Sequence, residues 1–375
     1  MPLRALARVN LAAIERNVAR VARELTGGAG LCAVVKADGY GHGAVPVARA
    51  ALSAGAGWLA VATAQEASEL RAAEIDGPIL VMGALSGAEL PLAVAARADL
   101  VAWSEPFVAA VAAAADPGAP VRVHVKLDTG MGRLGTRDRR EALAVAGRVV
   151  EHEPALELVG AMTHFATADE DPQFLAGQLA AFAPFVAELR KLRPRIVVHA
   201  ANSAATLRGS ACHFDLVRCG IALYGCDPFN GDPAERGLEP ALELGSYLAA
   251  VKLARAGESA GYGRRFFARR ETWIGTIPIG YGDGIRRALA DNCEVLVGGR
   301  RYPLVGAVSM DNITIDLGSE PSGAVGDAVT IIGRDGLERQ TAEQLARRIG
   351  TINYEIVCGI SARVPRAHHR DGEPA

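Results

Sequence analysis

Eight short apolar runs, alternating with helix-period segments, constrain the fold of this chain more than any other feature. The runs cover residues 31–36, 58–62, 78–82, 99–102, 121–127, 156–163, 196–199 and 214–219. Runs of this length read as strands. The spacing between them predicts helices, clearest over 64–74, 138–153 and 172–193, and a further helix over 11–25 precedes the first strand. An open doubly wound sheet is the alternative. Eight regular strand–helix units favour a closed, TIM-like (β/α)8 barrel instead.

The pattern changes after Gly231. Asp232-Pro233 and Glu239-Pro240 interrupt a polar stretch that reads as a linker. Beyond it, runs rich in Val, Ile and Thr cover 248–253, 272–279, 293–297, 313–316 and 328–332, separated by Gly and Asp turns. They predict a mostly antiparallel β domain. One helix is expected over 342–349, with Thr341 as its N-cap. Residues 367–375 read as a frayed polar tail that contains His368-His369 and holds no metal. The expected division is a barrel over 1–235, whose first residues are free to pack on the second domain, and a β-rich domain over 236–375.

Charge narrows the function. Lys+Arg total 40 against 42 Asp+Glu, a net charge of −2 over 375 residues. A nucleic-acid binder would carry a basic excess. No apolar run approaches the roughly 18 residues needed to span a bilayer. The N-terminus, with Arg4, Arg8, Glu15 and Arg16, does not read as a secretory signal. Six cysteines form no C-x-x-C pair and no zinc spacing, so they are expected to be reduced, buried, small apolar residues of a cytoplasmic protein. Only four basic residues are lysines: Lys36, Lys126, Lys191 and Lys252. Composition bias explains their number, but each one then merits locating.

Functional residues of a βα barrel gather at the C-terminal ends of its strands. The first strand ends in Lys36, followed by Tyr40-Gly41-His42-Gly43. The fifth carries Lys126, then Asp128-Thr129-Gly130-Met131-Gly132-Arg133. The sixth ends at Thr163-His164-Phe165. The seventh runs into His199 and Asn202-Ser203. The eighth carries Arg218, then Gly220-Ile221. Lys36 follows the apolar Ala33-Val34-Val35. It could snorkel to the surface. At a barrel mouth, however, desolvation favours a neutral amine, the form that makes an imine. Ser203 and Gly220-Ile221 fall where such barrels bind phosphate through backbone N–H groups and a hydroxyl, although Ser and Gly at strand ends also serve as caps and turns. An imine-forming lysine beside a phosphate cradle points to pyridoxal phosphate.

The run Ala33-Val34-Val35-Lys36-Ala37-Asp38-Gly39-Tyr40-Gly41-His42-Gly43 resembles the lysine-bearing signature of bacterial alanine racemases. The similarity continues through Lys126-Leu127-Asp128-Thr129-Gly130-Met131-Gly132-Arg133-Leu134-Gly135, His164-Phe165-Ala166, His199-Ala200-Ala201-Asn202-Ser203 and Arg218-Cys219-Gly220-Ile221. It extends into Gly261-Tyr262-Gly263, Ser309-Met310-Asp311 and Tyr354-Glu355-Ile356. It spans nearly the whole chain, in the family's order. The resemblance implies a barrel plus a β domain in a head-to-tail homodimer, with pyridoxal 5'-phosphate as cofactor. The implied reaction interconverts L-alanine and D-alanine and supplies D-alanine for peptidoglycan.

By the same resemblance, Lys36 would link to the cofactor and serve as the base on the D-face. Tyr262 of the partner subunit would be the base on the L-face; read alone, it is a packed aromatic in a Gly-rich turn. Racemisation removes a proton from one face and returns one to the other, so two bases are needed. Tyrosine hydroxyls ordinarily titrate near 10, so such a base needs help. His164 and Arg218 would form a relay towards it, with Arg218 also meeting the pyridine nitrogen. An arginine does not give up its proton, so that nitrogen would stay largely unprotonated. Tyr40, Ser203, Gly220, Ile221 and Tyr354 would hold the phosphate, with Asn202 among the cofactor residues. Arg133 would approach the phenolic oxygen and the substrate carboxylate. Met310 of the partner subunit would offer that carboxylate its N–H, although its thioether alone suggests core packing. Lys126 would be carbamylated to orient Arg133, or would be a structural ion-pair lysine beside Asp128.

The departures are Ser309 where cysteine is common, Asn312 where glutamine is common, and a loop over 280–287 that is one residue short. A broad-specificity amino-acid racemase shares the fold but is often exported. A non-enzymatic pyridoxal-phosphate barrel lacks the second domain. A metal-dependent barrel hydrolase needs a His-x-His on its first strand, and this sequence contains no His-x-His.

Overall fold

The computed structural model describes residues 3–116, 118–320 and 322–375; Met1 and Pro2 of the expected first domain, with Pro117 and Pro321, lie outside the described residues. Two compact units divide the chain. The barrel unit holds Glu15–Gly39 and Ala44–Leu223; the other takes in residues up to Ile14, Tyr40–Gly43 and the chain from Tyr224 onward.

Strand β1 (Leu6–Asn10) precedes the barrel strands. These are β2 (Gly30–Val34), β3 (Trp58–Val61), β4 (Ile79–Val81), β5 (Asp99–Ala102), β6 (Val121–Lys126), β7 (Leu156–Met162), β8 (Val197–His199) and β9 (Leu216–Cys219). Each lies within two residues of its expected bounds. They close in sequence order, and β2 pairs with β9 so that Cys32 faces Arg218. Closure removes the open-sheet alternative. Leu31, Cys32, Ala33 and Val34 are all buried, as are all the residues of β4 and β5. Parallel strands covered on both faces need no polar alternation, which is why short apolar runs announce them.

The intervening helices begin where capping chemistry allows. The helix Ala64–Ala72 is capped by Thr63, whose hydroxyl accepts the Glu66 N–H while the Glu66 carboxylate accepts the Thr63 N–H. This reciprocal pair satisfies two donors that a helix start leaves open. Asp138 and Asp171 cap the next long helices, Arg139–Glu151 and Pro172–Leu192.

The second unit holds β10 (Leu242–Tyr247), β11 (Ala250–Ala254), β12 (Ser259–Ala260), β13 (Phe266–Phe267), β14 (Thr272–Ile277), β15 (Glu294–Val297), β16 (Arg300–Pro303), β17 (Ile313–Gly318), β18 (Ala328–Asp335), β19 (Glu338–Gln340), β20 (Arg366–Arg370) and β21 (Glu373–Pro374). The largest sheet runs β16-β15-β18-β10-β1-β20-β21, with β19 on β18, and its pairs are antiparallel except β1 with β20. Thr341 caps the helix Ala342–Arg348 as expected.

Three expectations need correction. Residues 367–375 are not a frayed tail: β20 pairs with β1, His368 lies opposite Val9, and β21 folds back on β20. The fully buried Ala7 and Val9 of β1 provide the apolar anchor for that pairing. Part of the polar stretch after Gly231 is not open linker but a 3-10 turn, Pro233–Arg236, capped by the Asp232 side chain. All six cysteines are free, but Cys358 is exposed while the other five are buried.

Candidate active site

The chain leaves β2 in a left-handed turn. Ala37, Asp38, Gly39, Tyr40 and Gly41 have φ of +53°, +52°, +60°, +53° and +79°. Three of them carry side chains, and each costs about 1–2 kcal/mol in this conformation. Such strain persists only where surrounding contacts over-determine it. The Ala37 N–H donates to Glu66 Oε1 at 2.6 Å, the Gly39 N–H to the Val35 carbonyl at 2.9 Å, and the Ala44 N–H to Asp38 Oδ1 at 2.9 Å. Glu66 thus caps one helix and fixes the turn that starts at Lys36.

Arg218 lies on β9, is 3% exposed, and makes four hydrogen bonds. It donates to His199 Nδ1 at 2.8 Å, His164 Nδ1 at 3.1 Å, and the carbonyls of Thr163 and Ala200 at 2.9 and 3.0 Å. Every acceptor is neutral. Burial lowers the guanidinium to about 10, so it remains protonated at neutral pH. Arg218 is therefore a buried, protonated arginine, as its place between the apolar Val217 and Cys219 implies.

His164 accepts through Nδ1, which places its proton on Nε2. Burial first, then Arg218, Lys126, Arg133 and Lys36, push its titration well below the ordinary histidine value. These four charged groups are all cations, Lys126 as an unmodified amine. Lys126, 3% exposed at the end of β6, is lowered to about 8 by burial and by Arg218 and Arg133, against an opposing pull from Asp128. Burial works to raise Asp128, but the N–H groups of Gly130, Gly132 and Met131, with Arg137, outweigh it and hold the carboxyl below its usual range. Asp128 thus shapes the loop carrying the exposed Arg133 rather than pairing with Lys126. Gly135 (φ +110°) lets this loop close: a Cβ there would sit 3.0 Å from the Asp128 nitrogen.

Ser203 is buried, and its hydroxyl accepts the N–H of Gly220 at 3.0 Å and of Ala222 at 3.4 Å. This ties the loops after β8 and β9 together beside the buried Ile221. Asn202 serves as the N-cap of the helix Ser203–Arg208, accepting the Ala205 N–H at 2.9 Å.

The remaining expected residues lie in the second unit. Tyr40 stacks on Tyr224 at 4.8 Å between ring centroids and tilts against Tyr354 at 6.1 Å. Tyr262 and Met310 are not packed inside: they are 77% and 52% exposed. Tyr262 opens a 3-10 turn, Tyr262–Arg264, and lines a depression of about 430 Å³ with Thr276, Ala307, Ser309, Asn312 and Thr314. The Ser309 hydroxyl donates to the Asn312 carbonyl at 2.7 Å and accepts the Asn312 N–H at 3.1 Å, closing the turn that displays Met310.

Sequence reasoning missed a buried polar line inside the barrel. His199 Nε2 lies 2.8 Å from His124 Nδ1, and His124 Nε2 lies 3.2 Å from Asp99 Oδ2. Arg122 Nε reaches both Asp99 oxygens at 3.1 Å. The signal was present: Arg122, His124 and Lys126 alternate along β6, a polar set with the period of one strand face.

A closed barrel whose mouth gathers Lys36, Lys126, Arg133 and Arg218 around a neutral imidazole defines a barrel enzyme built for anionic guests. Known proteins agree. The N-terminal domain model of alanine racemase matches residues 9–228, and its C-terminal domain model matches residues 241–368. The alanine racemase of Frankia casuarinae is 43% identical, covering 98% of this chain and 96% of the relative; that of Geobacillus kaustophilus is 44% identical, covering 97% and 94%. A crystal structure of the Bacillus anthracis alanine racemase with bound L-Ala-P has a TM-score of 0.92 at 39% identity, covering 100% of this chain and 97% of that one. The enzyme from D-cycloserine-producing Streptomyces lavendulae gives 0.93 at 39%, covering 98% of each. The chain belongs to the alanine racemase family.

Proposed function

We propose that this chain interconverts L-alanine and D-alanine with pyridoxal 5'-phosphate, as a cytoplasmic homodimer that supplies D-alanine for peptidoglycan. The observation that carries the reading is the donor set of the barrel mouth. Arg218, Arg133 and Lys36, with Lys126 as a fourth cation while it is an unmodified amine, all hold His164 towards its neutral form, and Arg218 offers only N–H groups. That chemistry suits a guest with a phosphate, a phenolate and a carboxylate. When bound, the cofactor supplies an aldehyde to capture the substrate amine and a ring that withdraws electrons from the substrate Cα.

Within this reading, Lys36 anchors the cofactor and moves the α-proton on the D-face. Tyr262, exposed on its own subunit, enters the partner's site and moves the proton on the L-face. His164 and Arg218 form the relay that helps the tyrosine act as a base. Arg218 also donates to the ring nitrogen, and because a guanidinium keeps its proton near neutral pH, that nitrogen gains none. With that nitrogen unprotonated, the ring would withdraw electrons from the substrate Cα less strongly. Tyr40, Ser203, Gly220, Ile221 and Tyr354 hold the phosphate, and Asn202 shapes that loop from its capping position. Arg133 and the Met310 N–H bind the substrate carboxylate. Among the described residues no helix is long and apolar enough to cross a membrane.

Purified protein supplied with pyridoxal phosphate and L-alanine is expected to form D-alanine, read with a D-amino-acid oxidase. Absence of D-alanine with the cofactor bound overturns the reading.

The reading also makes Lys126 a carbamate that orients Arg133. A carbamate forms only from a neutral amine, and a lysine lowered to about 8 reaches that state far more readily than one at its ordinary value of 10.5. Carbamylation is expected to rise with pH up to about 8 and to respond to CO2 below it. Protein equilibrated with 13C-bicarbonate should show one carbamate carbonyl resonance that disappears in Lys126→Ala. A wild-type spectrum without it leaves Lys126 a cation.

A further inference from the structure

We propose that Asp99 is a positioning residue for the racemase site, acting across the barrel through His124 and His199 to fix how Arg218 donates. Each proton along this line is determined by its two ends. Arg218 can only donate, so His199 Nδ1, 2.8 Å away, carries no proton. A neutral imidazole holds its single proton on the other nitrogen, so His199 donates from Nε2. Its acceptor is His124 Nδ1 at 2.8 Å, which must be bare. His124 therefore carries its proton on Nε2 and donates to Asp99 Oδ2 at 3.2 Å. A carboxylate only accepts, and Arg122 holds both its oxygens from the far side. A donor-only group at one end and an acceptor-only group at the other leave a single direction for the whole line.

The barrel is built around this line. Asp99 and His199 are 2% and 0% exposed, and His124 is 0% exposed, so water cannot substitute for a missing partner. The register of β6 against β7 shifts between Val123 and His124, and shifts of this kind re-aim side chains. On β7, Gly160 leaves the space the ring occupies: a Cβ there would lie 1.7 Å from His124 Nδ1. The indole of Trp58 meets the same ring edge-on at 5.6 Å.

The consequence falls on Arg218. With His199 Nδ1 held bare, one guanidinium nitrogen is committed to His199. A second, Nη2, is turned to His164 Nδ1 and to the Thr163 and Ala200 carbonyls. A protonated Nδ1 on His199 would instead set donor against donor and displace the guanidinium from the position where it meets both His164 and the guest. Asp99 touches neither cofactor nor substrate; it acts through the orientation it imposes.

Neutron diffraction from perdeuterated wild-type crystals tests the line without reference to activity. The expected result is deuterium on Nε2 and none on Nδ1 of His199, His124 and His164. Deuterium on Nδ1 of His124 or His199 overturns the proposal. The second arm is Asp99→Asn, whose amide can donate to His124 Nε2 and so permit the reversed direction. It rests on the racemase reading. Its kcat is expected to fall about tenfold, the usual scale for losing a group that orients a ligand-contacting residue, with KM for alanine unchanged. An unchanged kcat, whichever way the deuterons lie, overturns the proposal. A variant that fails to fold leaves the wild-type deuterons to decide, and a wild-type protein without racemase activity fails the racemase reading while leaving the neutron result intact.

Discussion

Replacing Lys36 by alanine is expected to abolish racemisation in both directions, by at least about 10⁴-fold, and to remove the visible absorbance that marks a lysine–cofactor link. The two losses share one cause, because the same amine anchors the cofactor and carries a proton. Lys36→Arg should be equally inactive: a guanidinium does not form the imine and does not release its proton. Two of the four lysines supply the contrast. Lys191 lies on the surface, paired with Glu188 at 2.9 Å with its side chain 73% exposed, so Lys191→Ala should keep full activity. Lys126 lies at the barrel mouth, lowered to about 8. If the Lys36→Ala protein keeps its visible band, another lysine is the anchor and the assignment of Lys36 fails.

Tyr262→Phe is expected to lower racemisation by about 10²–10⁴-fold, the scale of one acid–base group, while leaving the cofactor bound. Its distinguishing mark is stereochemical. With Lys36 intact, the D-alanine α-proton should still exchange into deuterated water, without inversion, because one base on one face removes and returns the proton there. Loss of that exchange along with racemisation would show that Tyr262 does more than serve the opposite face. The same variant tests the shared site. Co-expressed with Lys36→Ala protein, it should form mixed dimers in which one site holds both mutations and the other neither. If subunits pair at random, half the dimers are mixed and each holds one intact site, so about a quarter of wild-type activity should return. No recovery would mean that Lys36 and Tyr262 act within one subunit. The 77% exposure of Tyr262 is the geometry that sharing requires.

The barrel was legible because parallel strands buried on both faces must be short apolar runs, and those of β2 to β9 stand between segments of helical period. The C-terminal strand was not. Arg366, His368 and Arg370 alternate along β20 with little apolar content, and their pairing with β1 joins the two ends of the chain, a non-local contact that no sequence window contains. The left-handed turn after Lys36 was equally hidden, because Ala37, Asp38 and Tyr40 are ordinary L-residues that adopt positive φ only where Glu66 and the Val35 carbonyl hold them.

Residue identity alone determined the candidate chemistry: which lysine can form an imine, which arginine keeps its proton, which residues sit at strand ends. Those properties belong to side chains and to local periodicity, and they survive without coordinates. Tertiary structure decided protonation and direction. His164 is neutral because desolvation and the cations Arg218, Arg133 and Lys36, brought from separate strands and loops, with Lys126 while it is an unmodified amine, act on it together. Arg218 faces only neutral acceptors, and the line from His199 to Asp99 has one direction, because barrel closure sets donors and acceptors from β5, β6, β8 and β9 against one another. A hydrogen bond depends on distance and on what its partner can accept, and neither is written in the order of the residues.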